Sequence, residues 1–276
     1  MRGFPRRIPR LRSRGASCRK RRADPAPAAR SAQKAARQGR HTVSDPIPYR
    51  RPDPATQPPL DSPAYGSTHK RHPKQPLLRI PHTLTETSAP RFDASRYPAH
   101  ADMSQVNGKG ALGERIIVAG RITDEDGRPQ RGVMVEVWQA NASGRYHHPR
   151  DQHDAPLDPN FEGRARIFTD DQGNYSFVSV KPGAYPWRNH WNAWRPIHIH
   201  FGLHGAGFAQ RMITQMYFPG DPLLDLDPIF LSTPDKAARD RLISKFDLEI
   251  TKPEWALGYR FDMVLRGREA TPFEKA

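Results

Sequence analysis

At 276 residues the chain holds one large domain or two small ones, and with 36% hydrophobic residues and 29 prolines it is poor in core-forming side chains for its length. Its net charge of +15 is uneven: residues 1–41 hold 14 Lys and Arg against the single acid Asp24, which leaves the rest of the chain near neutral at +2 and gives it no nucleic-acid-binding character. The one cysteine, Cys18, excludes an intrachain disulfide and fits a reducing, cytoplasmic compartment, while no apolar run approaches the ~18 residues of a membrane span.

In chain order, residues 1–42 are Arg-, Ala-, Ser- and Pro-rich and too poor in apolar side chains to offset ordering entropy, so they are predicted to be disordered. The abrupt change of character at Val43 favours translation from an upstream start over a working basic arm. Residues 43–108 form a Pro-rich, extended N-terminal arm. Leu77, Leu78, Ile80 and Leu84 are its expected apolar anchors, against the chain itself or a partner.

From residue 114, within a domain taken to span 109–276, the pattern turns to β. Strands are expected at 115–122, 132–138, 166–169, 174–180, 196–203, 210–218 and 258–266, with turns at 124–127 and 170–173. One helix is expected over 234–246, capped by Thr233, with Pro234 in its first position and Leu242, Ile243 and Phe246 as its apolar stripe. Short strands between turn signals indicate a mainly β sandwich with one or two short helices. The irregular segment 139–165 interrupts two of its strands, and loops on a rigid scaffold often carry function.

The chemistry gathers between residues 185 and 200. In the strand Arg195-Pro-Ile-His-Ile-His-Phe201, side chains alternate, so His198 and His200 share one face and Ile197, Ile199 and Phe201 the other. Two imidazoles so spaced either hold one metal ion or are polar residues on a half-solvated strand. Cysteine ligands are absent from residues 43–276. The remaining candidates are acids such as Asp151 and Asp154, and two tyrosines, Tyr146 and Tyr185, which as phenolates would favour a hard ferric ion. A tyrosine near a strand end is ordinarily core packing. A metal-free β-sandwich binding module is the alternative from a different functional class.

Five stretches carry a resemblance: Gly120-Arg-Ile-Thr-Asp-Glu-Asp-Gly-Arg-Pro129, Glu136-Val-Trp-Gln-Ala-Asn-Ala-Ser-Gly-Arg-Tyr146, Leu157-Asp-Pro-Asn-Phe161, Pro182-Gly-Ala-Tyr-Pro-Trp-Arg188 and the 195–201 strand. Together they resemble the intradiol ring-cleaving dioxygenase family from about Tyr49 almost to the C-terminus. The resemblance implies a transthyretin-like β-sandwich spanning residues 109–276. It also implies a non-haem Fe(III), one per alpha–beta pair, held by Tyr146, Tyr185, His198 and His200, with Tyr185 and His200 axial. It marks Arg195 and Gln215 as catalytic groups beside the substrate, and Tyr65, Trp187, Arg195 and Ile229 as substrate-pocket residues. The implied reaction is O2-dependent cleavage of protocatechuate to 3-carboxy-cis,cis-muconate in aromatic-compound catabolism, in a hetero-oligomer with a related alpha chain. In it, Tyr185 leaves the iron and accepts a substrate proton. His147, His148, His190 and His204 are expected at the surface or behind the ligands, and Trp191 and Trp194 are expected to shape the polar turn.

Overall fold

The computed structural model describes residues 53, 55–76, 78, 96–188, 191–205 and 211–274; the basic tail, the arm residues Leu77, Ile80 and Leu84, and His190 lie outside them. In chain order the described elements begin with helix α1 (Gly66–Arg71) and the small hairpin β1 (Gln105–Val106) and β2 (Lys109–Gly110). The long strand β3 (Arg115–Thr123) follows, then β4 (Met134–Trp138), β5 (Arg164–Phe168) and β6 (Asn174–Val180). Next come the two-residue strands β7 (Tyr185–Pro186) and β8 (Trp194–Arg195), then β9 (His198–His204) and β10 (Arg211–Tyr217). A 3-10 turn at Leu224–Leu226 leads into helices α2 (Pro228–Leu231) and α3 (Lys236–Asp240), and β11 (Lys245–Phe246), β12 (Leu257–Arg260) and β13 (Met263–Val264) complete the fold.

Two sheets face each other. One is antiparallel in the order β10-β9-β4-β5. The other is built on β3, which pairs antiparallel with β6 and parallel with β12 and β13; β11 is its edge. Alternation sets the inner faces: Ile116 and Val118 of β3, Val135 and Val137 of β4, Tyr175 and Phe177 of β6, and Ile199, Phe201 and Leu203 of β9 join one buried core. His198 and His200 therefore stand on the outer face of the four-stranded sheet, where loops cover them.

Two expectations need correction. The helix expected over 234–246 is only the five residues of α3, capped by Asp235, whose carboxylate accepts from Ala238 N at 2.8 Å, and not by Thr233. Beyond it the chain serves the sheet: Tyr217 N donates to Leu242 O and Ser244 N to Tyr217 O, both at 2.8 Å, and Leu242 is buried against Tyr217, Leu224 and Phe230. Phe246 then enters β11 opposite Tyr259. Leu242, Ile243 and Phe246 thus have apolar spacing that sheet contacts satisfy without a helix. The single strand expected at 258–266 is split at Phe261 and Asp262, where the Asp262 carboxylate accepts from Arg121 N at 2.8 Å. In the arm, Leu78 is 89% exposed among the described residues, so it is not an apolar anchor against them.

Candidate metal centre

Each side of the site is fixed by ordinary backbone chemistry. The pairing of β9 with its neighbours sets Trp138, His200 and Gln215 in one row across the sheet, and His198 opposite Tyr217. Directly opposed residues share a face. The Trp138 ring lies flat on His200, with centroids 4.9 Å apart and planes 4° from parallel. The two-residue ladder of β7 and β8 sets Tyr185 opposite Arg195, three residues before the histidine strand begins at His198.

Tyr146 arrives from the irregular segment, which is tied down along its length. Gln139 Nε2 donates to Val180 O at 2.8 Å, and Asn141 Oδ1 accepts from the backbone N–H groups of Ser143 and Arg145. Two glycines let this loop lie against the Tyr185 turn. Gly183 N donates to Asn141 O at 2.9 Å, and a Cβ on Gly183 would sit 2.5 Å from Ala142 O. Gly144 has φ +79°, and a Cβ there would collide with Ala184 O. That close approach brings the Tyr146 and Tyr185 rings edge to face at 5.1 Å. The Asp151 carboxylate, a candidate ligand by type, accepts from Tyr146 N at 2.6 Å and from His153 N at 2.8 Å, so it positions the loop.

The donor atoms converge. His198 Nε2 lies 3.2 Å from Tyr185 Oη and 3.2 Å from His200 Nε2. His198 Nδ1 sits 2.7 Å from Pro196 O, which calls for the proton on Nδ1 and leaves the Nε2 lone pair facing its neighbours. Burial, reinforced by the Arg195 charge, holds His198 well below its ordinary pKa and His200 at about 3, so both imidazoles are neutral at neutral pH. Burial pushes the Tyr146 phenol well up, with Tyr185 adding to it, and burial likewise raises Tyr185. Among the described residues the buried Tyr146 Oη has no hydrogen-bond partner within 3.5 Å, nor has His200 Nδ1. Two neutral imidazole nitrogens 3.2 Å apart, an unpartnered phenol oxygen and a second phenol within reach form a donor set that could hold a highly charged cation, which would favour phenolate over phenol.

Behind the donors lies a charged network. Arg195 is 2% exposed, and its Nε and Nη2 donate to the two oxygens of the fully buried Asp227 at 2.9 and 3.0 Å. Burial alone would depress the Arg195 pKa; Asp227, with the Tyr217 and Tyr185 hydroxyls, outweighs it and raises it well above its ordinary value. Arg195 Nη2 also donates to Gln215 Oε1 at 2.6 Å, and Gln215 Nε2 donates to Glu274 Oε2 at 2.9 Å. Arg195 is thus a buried cation beside the donors and one half of a salt bridge at once, and the Gln215 amide is bonded at both ends. Trp187 carries the Arg195 guanidinium 5.4 Å over its ring and meets Tyr65 edge to face at 5.2 Å. Tyr65, Gln215 and Ile229 line one narrow cavity of about 40 Å³.

His147 and His148 are exposed, and His204 faces Glu136 at 3.4 Å, away from the donors. Trp191 is 82% exposed. Asp227, Tyr217, Glu274 and Trp138 escaped the sequence reading. Trp138 and Tyr217 had a usable signal, since both lie in predicted strands, and Asp227 had one only as an Asp before Pro at a helix start.

A family model described as "Dioxygenase" matches residues 87–267, and one described as "Protocatechuate 3,4-dioxygenase beta subunit N terminal" matches residues 49–83. The chain is 56% identical over 216 residues to the protocatechuate 3,4-dioxygenase beta chain of Burkholderia cepacia, covering 77% of this chain and 92% of that one. It is 32% identical over 164 residues to a catechol 1,2-dioxygenase of Candida albicans, covering 54% and 52%. Among solved structures, the 3-chlorocatechol 1,2-dioxygenase of Rhodococcus opacus aligns at 22% identity and a TM-score of 0.47, over 59% of this chain and 64% of that one. With a family model spanning well over half its length and a relative covered almost end to end, the chain belongs to the intradiol dioxygenase family.

Proposed function

We propose that this chain is the iron-bearing beta subunit of a protocatechuate 3,4-dioxygenase, which cleaves protocatechuate between its two hydroxyl-bearing carbons with O2 and yields 3-carboxy-cis,cis-muconate. The observation that carries this reading is the convergence of Tyr185 Oη, His198 Nε2 and His200 Nε2 at 3.2 Å, beside the unpartnered Tyr146 Oη. The 56% identity to a named protocatechuate enzyme, against 32% to a catechol enzyme, favours protocatechuate over catechol.

Tyr146, Tyr185, His198 and His200 would hold Fe(III), one ion per alpha–beta pair. Such an ion would supply Lewis acidity toward the substrate's hydroxyl-bearing carbons. Held as phenolate by a bound ion, Tyr185 would accept a proton from a substrate hydroxyl at its Oη and become the neutral phenol that its burial favours. Arg195, fixed by Asp227 and Gln215, presents a positive charge in a dry site where negative charge develops. Trp187 and Ile229 wall the pocket, and Tyr65 brings a hydroxyl to it from the arm. The alpha chain completes the pocket around the substrate carboxylate, and the Pro-rich arm is the segment that wraps it; the exposed Leu78 is available for that contact.

Oxygen uptake by the co-expressed alpha and beta chains, with protocatechuate and catechol compared, tests the proposal. Uptake with protocatechuate by a red to brown protein is expected. A protein that stays colourless after iron loading, or that prefers catechol, refutes it.

A further inference from the structure

The arm carries a second cluster of ligand-type side chains, separate in chemistry from the tyrosine–histidine centre. Asp61, His69 and His72 each offer one ligand atom, and these atoms all lie within 4.8 Å of one another. His69 and His72 are three residues apart, so the single turn of α1 and its C-terminal cap bring them to one side. Asp61 Oδ2 lies 3.3 Å from His69 Nδ1 and 3.8 Å from His72 Nε2. Two ligands each about 2.0–2.2 Å from one tetrahedral ion are themselves about 3.3–3.5 Å apart, so both contacts are near binding geometry.

The cluster is also oriented from behind. His72 Nδ1 lies 3.1 Å from Thr68 O, which calls for the proton on Nδ1 and leaves Nε2 as the ligand atom. Thr68 Oγ1 accepts from Ser62 N at 2.9 Å and shares its one proton between Tyr65 O at 2.8 Å and Ser62 O at 3.0 Å, so the Asp61 loop is latched to the helix that carries the histidines. Asp61 Oδ1 is buried and has no hydrogen-bond partner among the described residues. Lys74 argues the other way: its ammonium lies 3.3 Å from His72 Nε2 while donating to His69 O at 2.6 Å. It sits on a flexible four-carbon stem and must swing aside for an ion to enter.

We propose that Asp61, His69 and His72 form a binding site for a borderline divalent transition ion such as Zn2+, distinct from the iron centre. Two imidazoles and a carboxylate suit zinc and copper and not magnesium or calcium, and three protein ligands leave the fourth position to water. The donor set contains no phenolate, so it has no preference for ferric iron. The site's position gives it a structural consequence. Tyr65 directly precedes α1, meets Trp187 edge to face, and accepts from Arg71 Nη2 at 2.9 Å. An ion joining Asp61 to the histidines clamps the segment that presents Tyr65 and Arg71.

The test uses the full-length protein, co-expressed with an alpha chain, dialysed against EDTA, with retained iron read from its visible absorption. Zinc alone is titrated against a chromophoric chelator, and bound metal is counted by elemental analysis. One zinc per chain beyond the iron is expected, with a raised thermal midpoint, no change in the iron band and no competition from millimolar Mg2+. Asp61→Asn and His72→Gln should each weaken zinc by about 10-fold or more, the range seen when a ligand shell is disrupted. Lys74→Gln should tighten it, because a cation next to a ligand nitrogen is removed. The iron band and the melt in EDTA report whether each variant has folded. No added zinc in the parent protein, or affinity unaltered in both Asp61→Asn and His72→Gln, overturns the proposal.

Discussion

Replacing Asp227 with Asn tests the network that fixes Arg195. Asp227 is fully buried, meets both Nε and Nη2 of Arg195, and also accepts from Phe230 N at 3.2 Å as the cap of α2. The substitution keeps the shape and one acceptor but leaves the Arg195 charge, itself 2% exposed, without its counterion. Removing one partner of a buried ion pair costs about 3–5 kcal/mol, and at about 2–4 °C per kcal/mol for a chain of this size the thermal midpoint should fall by roughly 6–20 °C. Scanning calorimetry of the parent and variant proteins supplies the measurement. The companion variant Arg195→Met/Asp227→Leu removes both charges and should recover at least half of the lost stability, although it should be inactive. A midpoint for Asp227→Asn within 2 °C of the parent, or a double variant as unstable as the single one, would refute the role of Asp227 as the required counterion.

Tyr185→Phe should retain part of the iron and shift the visible band while slowing substrate chelation at least 10-fold in stopped flow, the lower range for loss of a general base; unaltered binding kinetics would remove Tyr185 from proton transfer. Gly144→Ala forces a Cβ into Ala184 O at a positive φ, so it should cost about 2–4 kcal/mol in denaturant unfolding and lower iron content together, because it separates Tyr146 from Tyr185. Tyr175→Phe removes the buried bond from Tyr175 Oη to Phe261 O, 2.5 Å long, and should cost about 1–3 kcal/mol by the same assay while leaving the iron band untouched. Removing iron with a chelator should bleach the protein and lower its midpoint, since a ligand that binds only the folded state stabilises it by mass action.

Local pattern already determined much of this protein. The alternation in 195–201 placed His198 and His200 on one face, and the structure turns Ile199 and Phe201 into the core and the histidines outward, as a two-residue period requires. The strands at 115–123 and 174–180 were legible for the same reason. The helix read into 234–246 failed because a helical spacing of Leu242, Ile243 and Phe246 says nothing about which neighbour buries them, and Tyr217 and Tyr259 compete for those residues through the sheet. Tyr146 and Tyr185 were only tyrosines at loop ends until the family resemblance singled them out. What joins them is a close backbone approach between Gly144 and Ala184, and no local propensity encodes a contact across 40 residues of chain. Asp227 is the clearest case. As Asp before Pro it signals a helix cap, a role it does play, but its pairing with Arg195 exists only because the packing of α2 over the outer sheet face leaves a buried guanidinium that nothing but a buried carboxylate can neutralise. Sequence therefore determined which faces were apolar and which residues were chemically capable; tertiary structure decided which of them meet, because the energies that select those meetings come from burial, and burial is a property of the assembled fold.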